Sequence, residues 1–203
     1  MYNLATQHRT KFPDKVDSRN WEYYGVASSD YVLFMRLTST ARNLLLFNRS
    51  TGNLKQIDSI KPRCGSCLRP TWVGSSSLIY QRCSNGGVCN VFVWQKGVGT
   101  QAIPNPGGSP YTQYGGVMDE TTGDIYYVRS TTWCGLFVEI RRTNASSLSG
   151  FTTIYDVPEG IDMNHLSLAP DVLTPTDTDL LFSQYDCIAN DSDIYQIESV
   201  NML

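Results

Sequence analysis

The chain has 203 residues, 41% of them apolar and only 17% charged, so it has enough to bury and too little charge for the disordered classes. Sixteen Lys and Arg against 19 Asp and Glu give a net charge of −3, without the basic excess that draws a polyphosphate, so no nucleic-acid partner is expected. No run approaches the roughly 18 apolar residues of a membrane helix, so no membrane span is expected, and Met1 to Thr10 hold no apolar stretch like that of a signal peptide. Either export is unmarked or the sequence is a mature or excised piece. The length suits one domain over residues 1–203.

Residues 1–20 are polar and irregular, apart from Tyr2-Asn3-Leu4-Ala5-Thr6, which reads as a short strand. From residue 21 the chain repeats itself, in units of about 21–60, 61–109, 110–160 and 161–200. The first unit opens with Tyr24-Gly25-Val26, turns at Ser28-Ser29-Asp30, and continues through Val32-Leu33-Phe34-Met35-Arg36, Leu44-Leu45-Leu46-Phe47 and Leu54-Lys55-Gln56-Ile57. In the second, Trp72-Val73 and a Ser75-Ser76-Ser77 turn lead to Leu78-Ile79-Tyr80-Gln81-Arg82, Val91-Phe92-Val93-Trp94 and Thr100-Gln101-Ala102-Ile103. The third has Gly116-Val117-Met118, Ile125-Tyr126-Tyr127-Val128-Arg129, Leu136-Phe137-Val138 and Thr153-Ile154-Tyr155-Asp156. The fourth has Leu166-Ser167-Leu168, Leu180-Leu181-Phe182-Ser183-Gln184 and Ile194-Tyr195-Gln196-Ile197, without a last strand.

Each second run reads aliphatic, any, aromatic, any, Arg or Gln, with the aromatics Phe34, Tyr80, Tyr127 and Phe182 spaced by 46, 47 and 55 residues. β-Branched and aromatic residues alternate in short runs between Gly, Ser, Asn and Pro, and no 3.6-residue apolar stripe persists, which predicts strands without helices. Four antiparallel strands repeating every 40 to 50 residues predict an all-β protein, a β-propeller of about four four-stranded blades or part of a larger one. A β-sandwich with accidental periodicity is the competing fold. Because a propeller ring must hide its last open edge, Tyr2 to Thr6 are expected to supply the missing strand of the fourth unit, with the rest of 1–20 as linker.

Six cysteines, Cys64, Cys67, Cys83, Cys89, Cys134 and Cys187, allow 15 pairings. Cys83 and Cys89 flank an Asn-Gly-Gly turn between two strand-like runs, and residues opposed in a hairpin lie near disulfide distance, so a hairpin staple is predicted there. Cys64-Gly65-Ser66-Cys67 reads as a short-loop disulfide, with zinc or redox chemistry as alternatives. Cys134 and Cys187 then pair by elimination. Disulfides imply an oxidising compartment: secreted, periplasmic or cell surface.

Met118-Asp119-Glu120-Thr121-Thr122-Gly123-Asp124-Ile125-Tyr126-Tyr127-Val128-Arg129, together with Ala169-Pro170-Asp171, Leu180 to Ser183 and Asp193-Ile194-Tyr195, resembles the WD40-like repeat of TolB-like β-propellers. That repeat carries a Pro-Asp-Gly turn; the fourth unit keeps Pro-Asp with Val172 in the glycine's place, and the first two units have serine-rich turns. The resemblance implies a six-bladed periplasmic or secreted scaffold that binds partners, and a binding role rather than a reaction.

The chemistry candidates are few. The only histidines are His8, in the polar terminus, and His165, opening a strand, and no nucleophile elbow, phosphate loop or dinucleotide fingerprint is present. Asp119-Glu120, Asp177 with Asp179, and Asp191 with Asp193 are acid pairs of the type that hydrolyses glycosides when held face to face, although acids in polar turns are ordinarily just solvated. Asn190-Asp191-Ser192-Asp193 offers oxygens to calcium but lacks the glycine and distal glutamate of a calcium loop; no other cofactor is expected. Arg36, Arg82, Arg129 and Gln184 hold equivalent places, either as a ring around an anionic ligand or as ties between blades. Asn48-Arg49-Ser50, Asn144-Ala145-Ser146 and Asn190-Asp191-Ser192 are glycosylation sequons. The expected function is non-catalytic: a secreted or cell-surface module that binds or assembles with a protein or carbohydrate partner. A secreted hydrolase or lyase acting on carbohydrate, and an extracellular structural protein that self-associates by strand exchange, are the alternatives.

Overall fold

The computed structural model describes residues 2–3, 8–9, 13–61, 68–84, 87–107, 111–131, 138–158, 161–170, 178–187, 189 and 191–197. Its regular structure is all β. After the short strands β1 (Tyr2–Asn3) and β2 (His8–Arg9), four antiparallel sheets follow in chain order. The first is β3 (Trp21–Ala27), β4 (Tyr31–Leu37), β5 (Arg42–Asn48) and β6 (Leu54–Ile60). The second is β7 (Leu68–Val73), β8 (Ser77–Cys83), β9 (Cys89–Gln95) and β10 (Gly99–Ala102), and the third is β11 (Thr112–Met118), β12 (Asp124–Ser130), β13 (Val138–Asn144) and β14 (Ser147–Val157). The fourth has β15 (Ile161–Pro170), β16 (Thr178–Asp186) and β17 (Asp191–Ile197) among the described residues. Each sheet is a propeller blade: its strands pair in sequence order, and from the second sheet on its first strand packs against the blade before it.

The repeat seen in the sequence is the face that each blade turns toward its predecessor. A strand points alternate side chains to opposite faces, so the aliphatic, aromatic and Arg or Gln positions of every second strand share one side. Leu78 and Tyr80 of the second blade lie with Leu33, Met35, Leu44 and Leu46 of the first. Ile125 and Tyr127 of the third pack on Ile79, Val91 and Val93 of the second, and Leu180 and Phe182 of the fourth pack on Tyr126, Val128, Val138 and Ile140 of the third. The four aromatics of the repeat are all 5% exposed or less. Val32 and Phe34 of the first blade face away from the second, and there the apolar partner is Val16, buried with Leu45 and Phe47.

Close packing explains two glycines. A Cβ on Gly116 of β11 would lie 2.6 Å from Ile79 Cγ2, and one on Gly74 would lie 2.4 Å from the Glu120 carboxyl. Each first strand also carries a register shift, at Tyr23/Val26, Pro70/Trp72, Tyr114/Val117 and Met163/His165, the extra residues expected where a strand must bend. The shift in the first blade holds Tyr24 at φ 54°, a left-handed conformation unusual for a tyrosine.

Of the expected closing strand, Tyr2–Asn3 pairs antiparallel with His8–Arg9 in a two-stranded sheet, and Leu4, Ala5 and Thr6 lie outside the described residues. No extensive contact joins the fourth sheet to the first among the described residues.

Candidate binding face at one end of the blades

Antiparallel strands reverse direction at every turn, so each blade presents two ends of different character. At one end of the first three blades, the connections from first to second and from third to fourth strand are tight. Ser28 N bonds Tyr31 O at 3.0 Å, Gly74 N bonds Ser77 O at 3.0 Å, and Gly123 N bonds Asp119 O at 2.8 Å. Glu120 accepts from Ser75 N at 2.7 Å and Ser75 Oγ at 2.9 Å, which latches the turn of the third blade onto that of the second. Asp119 accepts from Thr121 N at 2.8 Å and Thr122 Oγ1 at 3.2 Å, closing its own turn. The cavity at this end, between Tyr31, Gly74 and Trp94, holds ≈ 10 Å³.

The opposite end gathers the second-to-third-strand hairpins and the links between blades, and two grooves open there among the described residues. The first, of ≈ 590 Å³, is lined by Ser59, Ile60 and Lys61 of the first blade and by Arg82, Cys83, Asn90 and Phe92, among others, of the second. The second, of ≈ 500 Å³, is formed by Trp21, Glu22, Tyr23, Leu37 and Arg42. Arg42 Nη1 donates to Tyr23 Oη at 2.9 Å, which fixes both side chains, while Trp21 stands 77% exposed beside them.

The predicted hairpin staple is present: Cys83 and Cys89 are register partners of β8 and β9, disulfide-bonded with Cα atoms 3.8 Å apart. Cys187 is also disulfide-bonded, and Cys64, Cys67 and Cys134 lie outside the described residues. β10 is only four residues long and leaves the first residues of β9 without a strand neighbour on that side. Side chains of β11 fill the gap: Cys89 N donates to Thr112 Oγ1 at 2.8 Å and Val91 N to Gln113 Oε1 at 3.1 Å. Rigid backbone therefore supports the hairpin beside the larger groove.

The structure gives each of the four equivalent Arg and Gln positions a partner in whatever precedes its blade. Arg82 Nη1 reaches Asp58 Oδ2 of the first blade at 3.3 Å. Arg129 Nη2 donates to Pro106 O at 2.6 Å and its Nε to Asn105 Oδ1 at 3.3 Å, both in the link after β10. Gln184 Nε2 donates to Tyr155 Oη of the third blade at 3.3 Å. Arg36 Nη2 donates to Lys15 O at 2.6 Å, and its Nε to Glu22 Oε1 at 2.8 Å. Arg82 and Gln184 thus bind the blade before theirs, and Arg129 and Arg36 the segments that lead into theirs. Arg129 also pairs with Glu139 at 3.3 Å, and Arg141 shares that carboxylate.

Sequence reasoning missed three features. Trp21 and Tyr23 of β3 and Arg42 of β5 form no sequence motif, and only the pairing Trp21↔Leu37↔Arg42 through β4 brings them together. The Glu139 cluster alternates with apolar residues inside β12 and β13, so it reads as ordinary strand. Tyr114 Oη donates to Asp162 Oδ1 at 2.6 Å between the third and fourth blades, a pair separated by 48 residues. Of the other candidates, Asn48 and Asn144 end β5 and β13 at the tight-turn end, where each Oδ1 accepts from a serine two residues on. Asn144 Nδ2 also donates to Asp124 Oδ1 at 2.9 Å. Asp179 is buried, whereas Asp177 and Asn190 lie outside the described residues, as does Asp171 of the Pro-Asp turn. Among the described residues, no group of three His, Cys, Asp or Glu is placed to hold a metal, and no helix is long and apolar enough to cross a membrane.

No protein-family model matches the chain, and no curated protein matches it. Solved β-propellers do. The structure is similar to TolB from Acinetobacter baumannii, with a TM-score of 0.53 at 12% identity, over 98% of this chain and 48% of that one. It is also similar to a prolyl endopeptidase, with a TM-score of 0.55 at 10% identity over 89% of this chain and 29% of that one. Oligopeptidase B from Leishmania major gives 0.51 at 10% identity over 87% and 24%. The chain thus spans about half the length of TolB and about a quarter of the peptidases. At these identities the likeness defines the class, a β-propeller with a loose TolB-like, WD40-like repeat, and its shape alone.

Proposed function

We propose that the protein is a non-catalytic β-propeller module that binds a protein partner through the end of the blades carrying the two grooves. The observation that carries this reading is the cluster of Trp21, Tyr23 and Arg42. Tryptophan, tyrosine and arginine are the residues that dominate binding energy at protein interfaces, the two aromatics because they bury large area with few rotors to freeze and arginine because its planar guanidinium offers several donors in a fixed fork. Here Trp21 is 77% exposed next to a groove whose polar edge, Arg42 on Tyr23, is already ordered. The acid pair Asp119 and Glu120 is occupied instead in holding turns. The Cys83–Cys89 bridge supports a secreted or cell-surface location, since such bonds persist in oxidising compartments. Asn48 and Asn144 would carry glycans at the tight-turn end, away from the grooves.

Selection from a displayed random-peptide library tests this, with a glycan array run in parallel. Trp21→Ala should weaken the selected peptides by about 30-fold or more, as loss of a hot spot of about 2 kcal/mol does. Val98→Ala, exposed at the other end, should leave them unchanged. Equal loss in both variants, or binding only to glycans, overturns the protein-partner reading.

A further inference from the structure

Tyr80 and Tyr127 hold equivalent places in the second and third blades, yet their hydroxyls meet different partners in the blade before. Asp58, opposite Leu44 in the first blade, accepts from Tyr80 Oη at 2.9 Å. The residue at that place in the second blade is Ile103, whose N bonds Val91 O at 2.9 Å and whose side chain packs with Tyr127. Tyr127 is 0% exposed, and its Oη has no hydrogen-bond partner. Across the ladder from it on β13 is Arg141, 6% exposed. The Nε of Arg141 meets Glu139 Oε1, whereas its Nη1 is buried without a hydrogen-bond partner. The charges that act on the Tyr127 phenol are the guanidiniums of Arg141 and Arg129 and the one carboxylate of Glu139. That carboxylate is already engaged by both arginines and by Thr153 Oγ1.

We propose that Tyr127 Oη and Arg141 Nη1 hold a small monovalent anion of the halide class, such as chloride, in the place that the Asp58 carboxylate takes between the first and second blades. Two observations meet at this point. A buried donor without an acceptor is costly, and here an O–H and an N–H on neighbouring strands both need one. A buried charge is tolerated when it is paired, and here two guanidiniums share a single carboxylate. A halide accepts from both donors at once and supplies the second negative charge. A divalent oxyanion would bring a further charge and more acceptors than these two donors satisfy. Phe151, 43% exposed, lies over the Arg141 guanidinium, 3.7 Å from its central carbon to the ring centroid. Movement of that exposed ring opens a way in from solvent. The bound anion ties the third blade to the second, as Asp58 ties the second to the first.

Thermal melting in chloride or bromide, against isethionate at the same ionic strength, tests this, and crystals grown in bromide locate the ion by its anomalous scattering. The melting temperature of the parent protein should rise with halide concentration and stay level in isethionate. Tyr127→Phe keeps the ring and should weaken the halide dissociation constant by about tenfold or more, as loss of one donor to a charged group does. Tyr80→Phe, whose hydroxyl already has Asp58, should keep the parent's response to halide. Bromide should scatter from between Tyr127 Oη and Arg141 Nη1. Equal melting in halide and isethionate, a halide response that Tyr127→Phe leaves unchanged, or a water at that place in the bromide crystals overturns the proposal. The site shares no residue with either groove, so it stands or falls apart from the groove-binding reading.

Discussion

Tyr114 Oη donates to Asp162 Oδ1 at 2.6 Å, joining the third blade to the fourth through a carboxylate that is fully buried. The same oxygen accepts Met163 N at 2.7 Å. A second tie of this kind joins the first two blades, where Tyr80 Oη donates to Asp58 Oδ2 at 2.9 Å. Removing the hydroxyl while the acid stays buried takes one donor from a carboxylate that water does not reach. Tyr114→Phe should therefore cost about 1–3 kcal/mol in urea unfolding, although the ring is kept. A loss below a few tenths would mean that water replaces the hydroxyl.

Alkali should attack the same ties. Burial holds the phenols of Tyr80, Tyr114 and Tyr127 above their ordinary value of 10.0, with Asp58 and Asp162 adding to the effect at the first two. For Tyr126, burial and then Asp124 push it up to about 12. A group whose folded-state pKa is raised gives stability that is complete below its unfolded-state pKa and lost as pH rises through the folded-state value. Thermal melting should be flat toward pH 10 and fall steeply between about 10 and 12. Melting unchanged across that window would show that these phenols ionise freely in the fold.

The approach of the third blade to the second predicts a contrast between two glycines. Gly116→Ala drives a methyl against Ile79 Cγ2, 2.6 Å away, and should destabilise by about 1–3 kcal/mol. Gly25→Ala meets nothing within 4 Å and should stay within about 0.5 kcal/mol of the parent. Equal effects at both sites would mean that the blades slide apart at little cost.

Glu139 is 3% exposed and lies between the guanidiniums of Arg129 and Arg141, with Thr153 Oγ1 donating at 2.7 Å. Glu139→Ala strands two buried cations and should cost about 3–5 kcal/mol, or prevent folding. Replacing all three charges together by apolar residues should recover much of that loss. A single variant that folds with unchanged stability would show that the arginines turn out to solvent.

The amino-acid sequence by itself determined the blades. Phe34, Tyr80, Tyr127 and Phe182 recur because each blade must offer its neighbour the same surface, and a strand encodes a surface in every second residue. The Cys83–Cys89 bridge was equally legible, since both cysteines sit in one hairpin whose turn residues fix the register. Tertiary structure decided what lies between blades and against the outer face of the first. Tyr114 and Asp162 meet only because two first strands pack side by side, and Trp21 and Arg42 only because both pair with Leu37. Tyr2 to Thr6 suited an edge strand, but the demand at the first blade was for an apolar side chain on its exposed face. Val16 answers it from a short turn, and a single valine in a polar segment leaves no period to read.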